Sequence, residues 1–177
     1  MVQQKQSGET RPLHVILKGA LAGFTGTIPM TIFMLLTQRF LPEGQHYDLP
    51  PELITKDIAR KASVRWHMSK GQVLLATLAA HFGYGAAMGA IYAPVEENIP
   101  SSVEGHIPLS ALLQGMLFGV LVWAISYFAL LPLLGISESG EREPAQRNLM
   151  MLAAHVVWGS TMGITAGALK PAHETSG

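Results

Sequence analysis

An all-α, polytopic integral membrane protein with four transmembrane helices in two tandem pairs is the fold the sequence predicts, and three observations predict it. Apolar residues make up 49% of the 177-residue chain and Asp, Glu, Lys and Arg only 14%, where soluble domains carry roughly a quarter charged. Four uncharged runs, each of about 20 residues or more, are long enough to cross a hydrocarbon core roughly 30 Å thick, and the charges of the chain collect between them. The second and fourth runs also resemble each other at one fixed offset.

The first span is GALAGFTGTIPMTIFMLLTQ, residues 19–38, bracketed by Lys18 and Arg39. The polar start, MVQQKQSGETRP, and the length of the run behind it read as a retained span rather than a removable signal. Pro29 interrupts its hydrogen bonding and predicts a kink, which neighbouring helices must relieve. The second span is GQVLLATLAAHFGYGAAMGAIYAPV, residues 71–95, between Lys70 and the pair Glu96 and Glu97. The third is LSALLQGMLFGVLVWAISYFALLPLL, residues 109–134, with Pro132 near its end. The fourth is NLMMLAAHVVWGSTMGITAGAL, residues 148–169, between Arg147 and Lys170. Strict alternation over about ten residues, the mark of a membrane strand, is absent. Residues 1–177 therefore read as a single membrane domain.

Residues 42–70 form a long first loop. Within it PPELITKDIARKA opens with prolines and sets Leu53, Ile54 and Ile58 apart from Lys56, Arg60 and Lys61, which predicts a short interfacial helix. Trp66 and His67 follow where rings commonly sit among head groups. Eight Lys and Arg residues fall on the side of the first and third loops and four on the side of the termini and the second loop. The positive-inside tendency then places the first and third loops in the cytoplasm and both termini outside.

Aligned on their histidines, the second and fourth spans pair His81 with His155, Tyr84 with Trp158, Gly85 with Gly159, Met88 with Met162 and Gly89 with Gly163. The first and third match through Gly19 with Gly115 and Gly23 with Gly119. Two copies of a two-span unit share one orientation and are related by an axis along the membrane normal. A stride of four stays near one helix face, so His81, Gly85 and Gly89 form one stripe and His155, Gly159, Gly163 and Gly167 another. Small residues at this spacing let helix backbones approach in lipid, so the stripes face other helices and the histidines at their heads point into the bundle.

What the two imidazoles do there has three readings. Hydrogen bonds to Ser126, Thr161, Thr77, Gln114 or a carbonyl would make them packing residues of a structural or interaction bundle, the leading reading. Titrating in the bundle, they would line a conduit for protons or small solutes. On facing helices, they would ligate haem b axially. Apart from that haem alternative, no cofactor or metal is expected, since no Asp, Glu or Cys lies within the spans to complete a metal site. GALAGFTG follows no strand and is a packing stripe rather than a nucleotide loop, and no Ser, His and Asp set with a nucleophile elbow is present. The nine methionines read as pliable packing. With 12 basic and 12 acidic residues the chain has no cationic field to draw nucleic acid. The expected partners are the lipid bilayer and further copies of the chain, met through small-residue faces, and the protein is expected not to be an enzyme.

The histidine-bearing second span, ALLQGMLFG, the Pro132 to Gly135 ending PLLG and AAHVVWGSTMG together resemble the YagU-type inner-membrane proteins, over roughly the last 100 residues. The resemblance implies a multi-pass protein of the inner membrane with no catalytic residues to carry over. The positions that match are His81 and His155 with the residues following them.

Overall fold

The computed structural model describes residues 3–45, 48–97, 107–135 and 144–169. Helix α1 is Gln3–Thr37, α2 Pro50–Lys61, α3 Lys70–Glu97, α4 Ile107–Ile125, α5 Leu131–Leu133 and α6 Ala145–Ala168, with no strand among the described residues. Four stretches are long and apolar enough to cross a membrane: Leu13–Phe40, Lys70–Glu97, Ser110–Leu133 and Ala145–Ala168. They coincide with the four expected spans.

Each helix begins and ends where local chemistry allows it. Along α1 the hydroxyls of Thr25, Thr27, Thr31 and Thr37 donate to the carbonyls four residues back at 2.7–2.9 Å, so these polar groups need no partner in lipid. The helix continues through Pro29. Pro50 and Pro51 open α2, where a missing N–H costs nothing. At the start of α3, Ser69 and Gln72 cap reciprocally: the Ser69 N–H donates to Gln72 Oε1 at 2.8 Å and the Gln72 N–H to Ser69 Oγ at 3.3 Å. Helix α4 widens into one π-helical turn, Ser126–Leu130, where the Leu131 N–H bonds to the Ser126 carbonyl five residues back. That wider turn precedes Pro132, whose ring crowds an ordinary α-helical turn and whose nitrogen cannot donate. Gly135, at φ 61°, ends the segment in a conformation that suits glycine.

Helix α1 packs against α3 and α4 against α6, and the two pairs join through α1 and α6; α3 and α4 barely touch. The central α1 and α6 are accordingly the more buried spans. Outward rows at helical stride, Leu17, Leu21, Phe24, Ile28 and Ile32 on α1 and Leu113, Leu117, Leu121 and Ile125 on α4, are each more than 40% exposed. In water these rows would be a large aggregating patch; hydrocarbon covers them without cost. The molecule is a multi-pass helical membrane protein.

The first loop meets the ends of the third and fourth spans at one end of the bundle. Lys61 Nζ donates to the Leu134 carbonyl and Arg147 donates to the Asp48 carbonyl, both at 2.7 Å, which ties α2 to the end of α4 and the start of α6. Arg147 is only 2% exposed. In α2, Ile58 is 54% exposed, while Thr55, Asp57 and Ala59 are buried. The contacts made at the bundle end, not the apolar pattern of α2, decide which face turns inward. Trp66 is 81% exposed beside the start of α3, in keeping with a ring among head groups. Met30, Met34, Met150, Met151 and Met162 are buried packing residues.

Candidate functional site: a cavity between the two repeats

The glycine stripes are the seams of the two pairs. Gly19 and Gly23 on α1 lie against Gly89 and Gly85 on α3, and Gly115 and Gly119 on α4 lie against Gly163 and Gly159 on α6. At seven of these eight a Cβ would come under 3.0 Å from facing backbone; at Gly85 it would strike the Thr27 hydroxyl. Gly167 belongs to the stripe by spacing only, since a Cβ there would sit 3.3 Å from the Ala111 side chain. Gly26, which the stride-of-four argument passes over, is tight against α6, with a Cβ position 2.8 Å from the Trp158 carbonyl.

With the pairs closed in this way, His81 and His155 both line one cavity of about 260 Å³. Its walls are Ala80, His81, Tyr84 and Gly85 of α3; Val122 of α4; Ser126, Tyr127 and Leu130 of the π turn; Leu131 of α5, followed by Leu134; and Met151, His155 and Trp158 of α6. Thr27 and Met30 of α1 complete the interior, and Pro50, Pro51 and Ile54 of α2 lie across the end where α2 is tied to Leu134 and Arg147. No lining residue carries a carboxylate, ammonium or guanidinium. Among the described residues no three His, Cys, Asp or Glu side chains are placed to hold a metal ion.

The imidazoles are held differently. His155 Nδ1 lies 2.8 Å from the Met151 carbonyl. A carbonyl only accepts, so Nδ1 carries the proton, and in the neutral ring Nε2 is left as an acceptor. The Tyr127 ring stands edge-on to this imidazole, centroids 6.5 Å apart. His81 Nε2 is buried and has no hydrogen-bond partner. Of the partners expected from the sequence, a carbonyl serves His155, whereas Ser126 is engaged by Tyr84 and Thr161 returns its hydroxyl to Val157.

The cavity exists because the repeat is not followed all the way round. The repeat equates α3 with α6 and α1 with α4, so the α1 and α6 seam should have a twin between α4 and α3. On the first seam Gly26 admits the α6 backbone and Trp158 Nε1 donates to the Gly23 carbonyl at 3.0 Å. On the second, Tyr84, the counterpart of Trp158, reaches only the Ser126 hydroxyl, at 3.0 Å. One seam is packed along its length; on its twin, Tyr92 meets the Phe118 ring with centroids 5.2 Å apart, and beside the cavity the described link between α3 and the π turn is the Tyr84–Ser126 hydrogen bond.

A second polar group lies toward the other end of the α1 and α3 pair. Lys18 Nζ stands 3.9 Å from Glu96 and 3.7 Å from Glu97, with the Lys18 and Glu96 side chains 4% and 2% exposed. The sequence marks these residues only as flanks of spans. Tyr84, Tyr127 and Trp158 were likewise not legible as lining residues, although the pairing of Tyr84 with Trp158 in the repeat was a signal for two of them; Ser126, named from the sequence as a possible partner of the histidines, does line the cavity with them.

No curated protein and no solved structure matches the chain. A family model does match residues 39–164, the stretch that runs from the first loop through most of α6 and supplies both histidines and every lining residue except Thr27 and Met30. By that match the chain belongs to the DUF1440 family, described as proteins of unknown function.

Proposed function

We propose that this is a non-enzymatic binding protein of the inner membrane, of the YagU type, which holds a small uncharged molecule within the bilayer between α3 and α4. The observation that carries the reading is that both intramembrane histidines face one cavity of about 260 Å³ rather than tight packing. That exceeds an engineered apolar cavity of roughly 150 Å³ that binds benzene, and is close to the lower end of the roughly 300–1,000 Å³ of sites for drug-sized ligands. The lining is apolar with a few placed polar groups, the usual composition of such sites.

The alternatives are less well supported. A purely structural bundle would fill the space, since a void forfeits dispersion contacts. Haem b would find a free Nε2 on His155, but a porphyrin does not fit this volume unless α3 and α4 separate. A conduit needs polar groups in succession, and this lining has few. Homo-oligomerisation would have to use another face, because the glycine ridges are spent inside the chain.

Trp158 lines the cavity and reports on it. In lipid nanodiscs, a Trp66→Phe, Trp123→Phe variant should show saturable quenching of Trp158 by bromobenzene, above the linear background of probe dissolved in lipid. Val122→Phe, which fills the lining, should remove the saturable part. Linear quenching alone would sink the proposal.

A further inference from the structure

We infer that the molecule held in the cavity is a neutral lipophile with a hydroxyl group, taken laterally from the bilayer through the seam between α3 and α4, with His155 Nε2 accepting the hydroxyl proton. The inference rests on the binding reading above and adds the ligand's chemistry and its route.

The polar groups of the lining define the chemistry. His155 cannot present a donor to the cavity: its proton is fixed on Nδ1 by the Met151 carbonyl, and a second proton would place an unpaired charge among apolar walls. It therefore asks for a donor. His81 Nε2 is buried without a partner, and nothing fixes its tautomer, so it can donate or accept. A hydroxyl is the simple neutral group that gives one hydrogen bond and takes another, and it would satisfy both rings. A carboxylate, phosphate or ammonium would enter with no counter-charge in the lining. An ether or ketone could not serve His155.

The seam sets the route. Tyr84, Leu130 and Leu134 line the cavity yet are 39%, 37% and 46% exposed, so the opening between α3 and the end of α4 faces the surroundings of the bundle. Tyr84 and Leu130 lie within the spans, so there those surroundings are acyl chains. At the loop end, α2 lies over the cavity with Pro50, Pro51 and Ile54, tied down through Lys61 and Arg147. A molecule dissolved in the membrane reaches the imidazoles by parting Tyr84 from Ser126, without crossing a charged surface.

The test uses the same Trp158 reporter in nanodiscs at neutral pH, with three probes of nearly equal size: a bromoalkylphenol, its methyl ether and the parent bromoalkylbenzene. Affinities are expressed per probe dissolved in lipid. The expected result is saturable quenching by all three, with the phenol about five- to tenfold tighter than its ether, the worth of one added hydrogen bond. The corresponding aliphatic alcohol, as a competitor, should displace the phenol better than its own methyl ether does, which separates hydroxyl recognition from ring stacking. His155→Phe should abolish the phenol's advantage while leaving the hydrocarbon bound. Equal affinities of phenol and ether in the wild-type lining would overturn the ligand class and leave the pocket standing. Loss of saturable quenching by every probe would instead remove the binding reading itself. Because the three-probe comparison needs no histidine variant, a misfolded His155→Phe protein would not rescue the idea.

Discussion

Replacing Gly115 by alanine puts the seam geometry to a direct test. The new Cβ would lie 2.7 Å from Gly163 Cα and closer still to the Gly159 carbonyl oxygen, both backbone atoms of α6. No side chain can rotate away, so α4 must move off α6. Reaching the 3.4 Å of ordinary contact from 2.7 Å requires a separation of at least roughly 0.7 Å at this point, and a gap of that size along a packed helix forfeits a quarter to a half of each dispersion contact it opens. Overpacking of this kind costs about 1–3 kcal/mol. Gly83 is the control: it is on α3, also within a span, and nothing lies within 4 Å of an added Cβ. Gly83→Ala should change stability by less than about 0.5 kcal/mol. Unfolding of the purified protein in mixed micelles of increasing SDS fraction, followed by circular dichroism, gives both differences. If Gly115→Ala unfolds at the same SDS fraction as Gly83→Ala, the ridges do not bear on each other as described and the two-pair architecture is wrong.

Three further outcomes are expected. Tyr84→Phe removes the hydroxyl that meets Ser126; an interhelical bond in lipid is worth about 0.6 kcal/mol, so bromobenzene should leave the cavity about threefold faster, and an unchanged recovery of Trp158 fluorescence on rapid dilution would show that the seam does not gate access. Lys18→Met strips the cation from beside the enclosed Glu96 and should cost about 3 kcal/mol in the SDS assay, largely restored by adding Glu96→Gln; wild-type stability of the single variant would contradict a buried pair. In α2, hydrogen bonds from Lys61 and then Arg60 hold Asp57 below its ordinary 3.8, and hydrogen bonds to Asp48 and Glu52 hold Lys56 above its ordinary 10.5. A lowered acid stabilises above its unfolded pKa and loses this as pH falls through the folded one, and a raised base does the reverse. Amide exchange in residues 50–61, corrected for intrinsic rates, should thus show constant protection between those limits and fraying outside them, and a transition near pH 6 would exclude these ion pairs as its anchor.

The histidines show how far a pattern reaches. Their place at the head of a glycine stripe was enough to turn them inward, because residues four apart share a helix face and small residues in lipid seek other helices. Gly26 and Trp158 are off that stride, and their importance follows from α1 meeting α6, a neighbour relation that no spacing encodes. Gly167 is on the stride but too near the end of α6 to meet a backbone. Asp57 and Thr55 are buried and Ile58 is exposed, a choice of face that the apolar pattern of α2 leaves open, because Lys61 and Arg147 fasten the loop end through carbonyls.

Composition and the length of the apolar runs determined the solvent of this protein, the number of its spans and their alternating direction, since a bilayer accepts only backbone that satisfies its own hydrogen bonds. The repeat determined which stripes pair. The tertiary structure alone decided that two like seams would differ, one closed on Gly26 and Trp158 and the other left open beside Tyr84. Helices α1, α3 and α6 carry small residues on more than one face, and only the simultaneous packing of all four spans selects which face is filled and which borders a cavity.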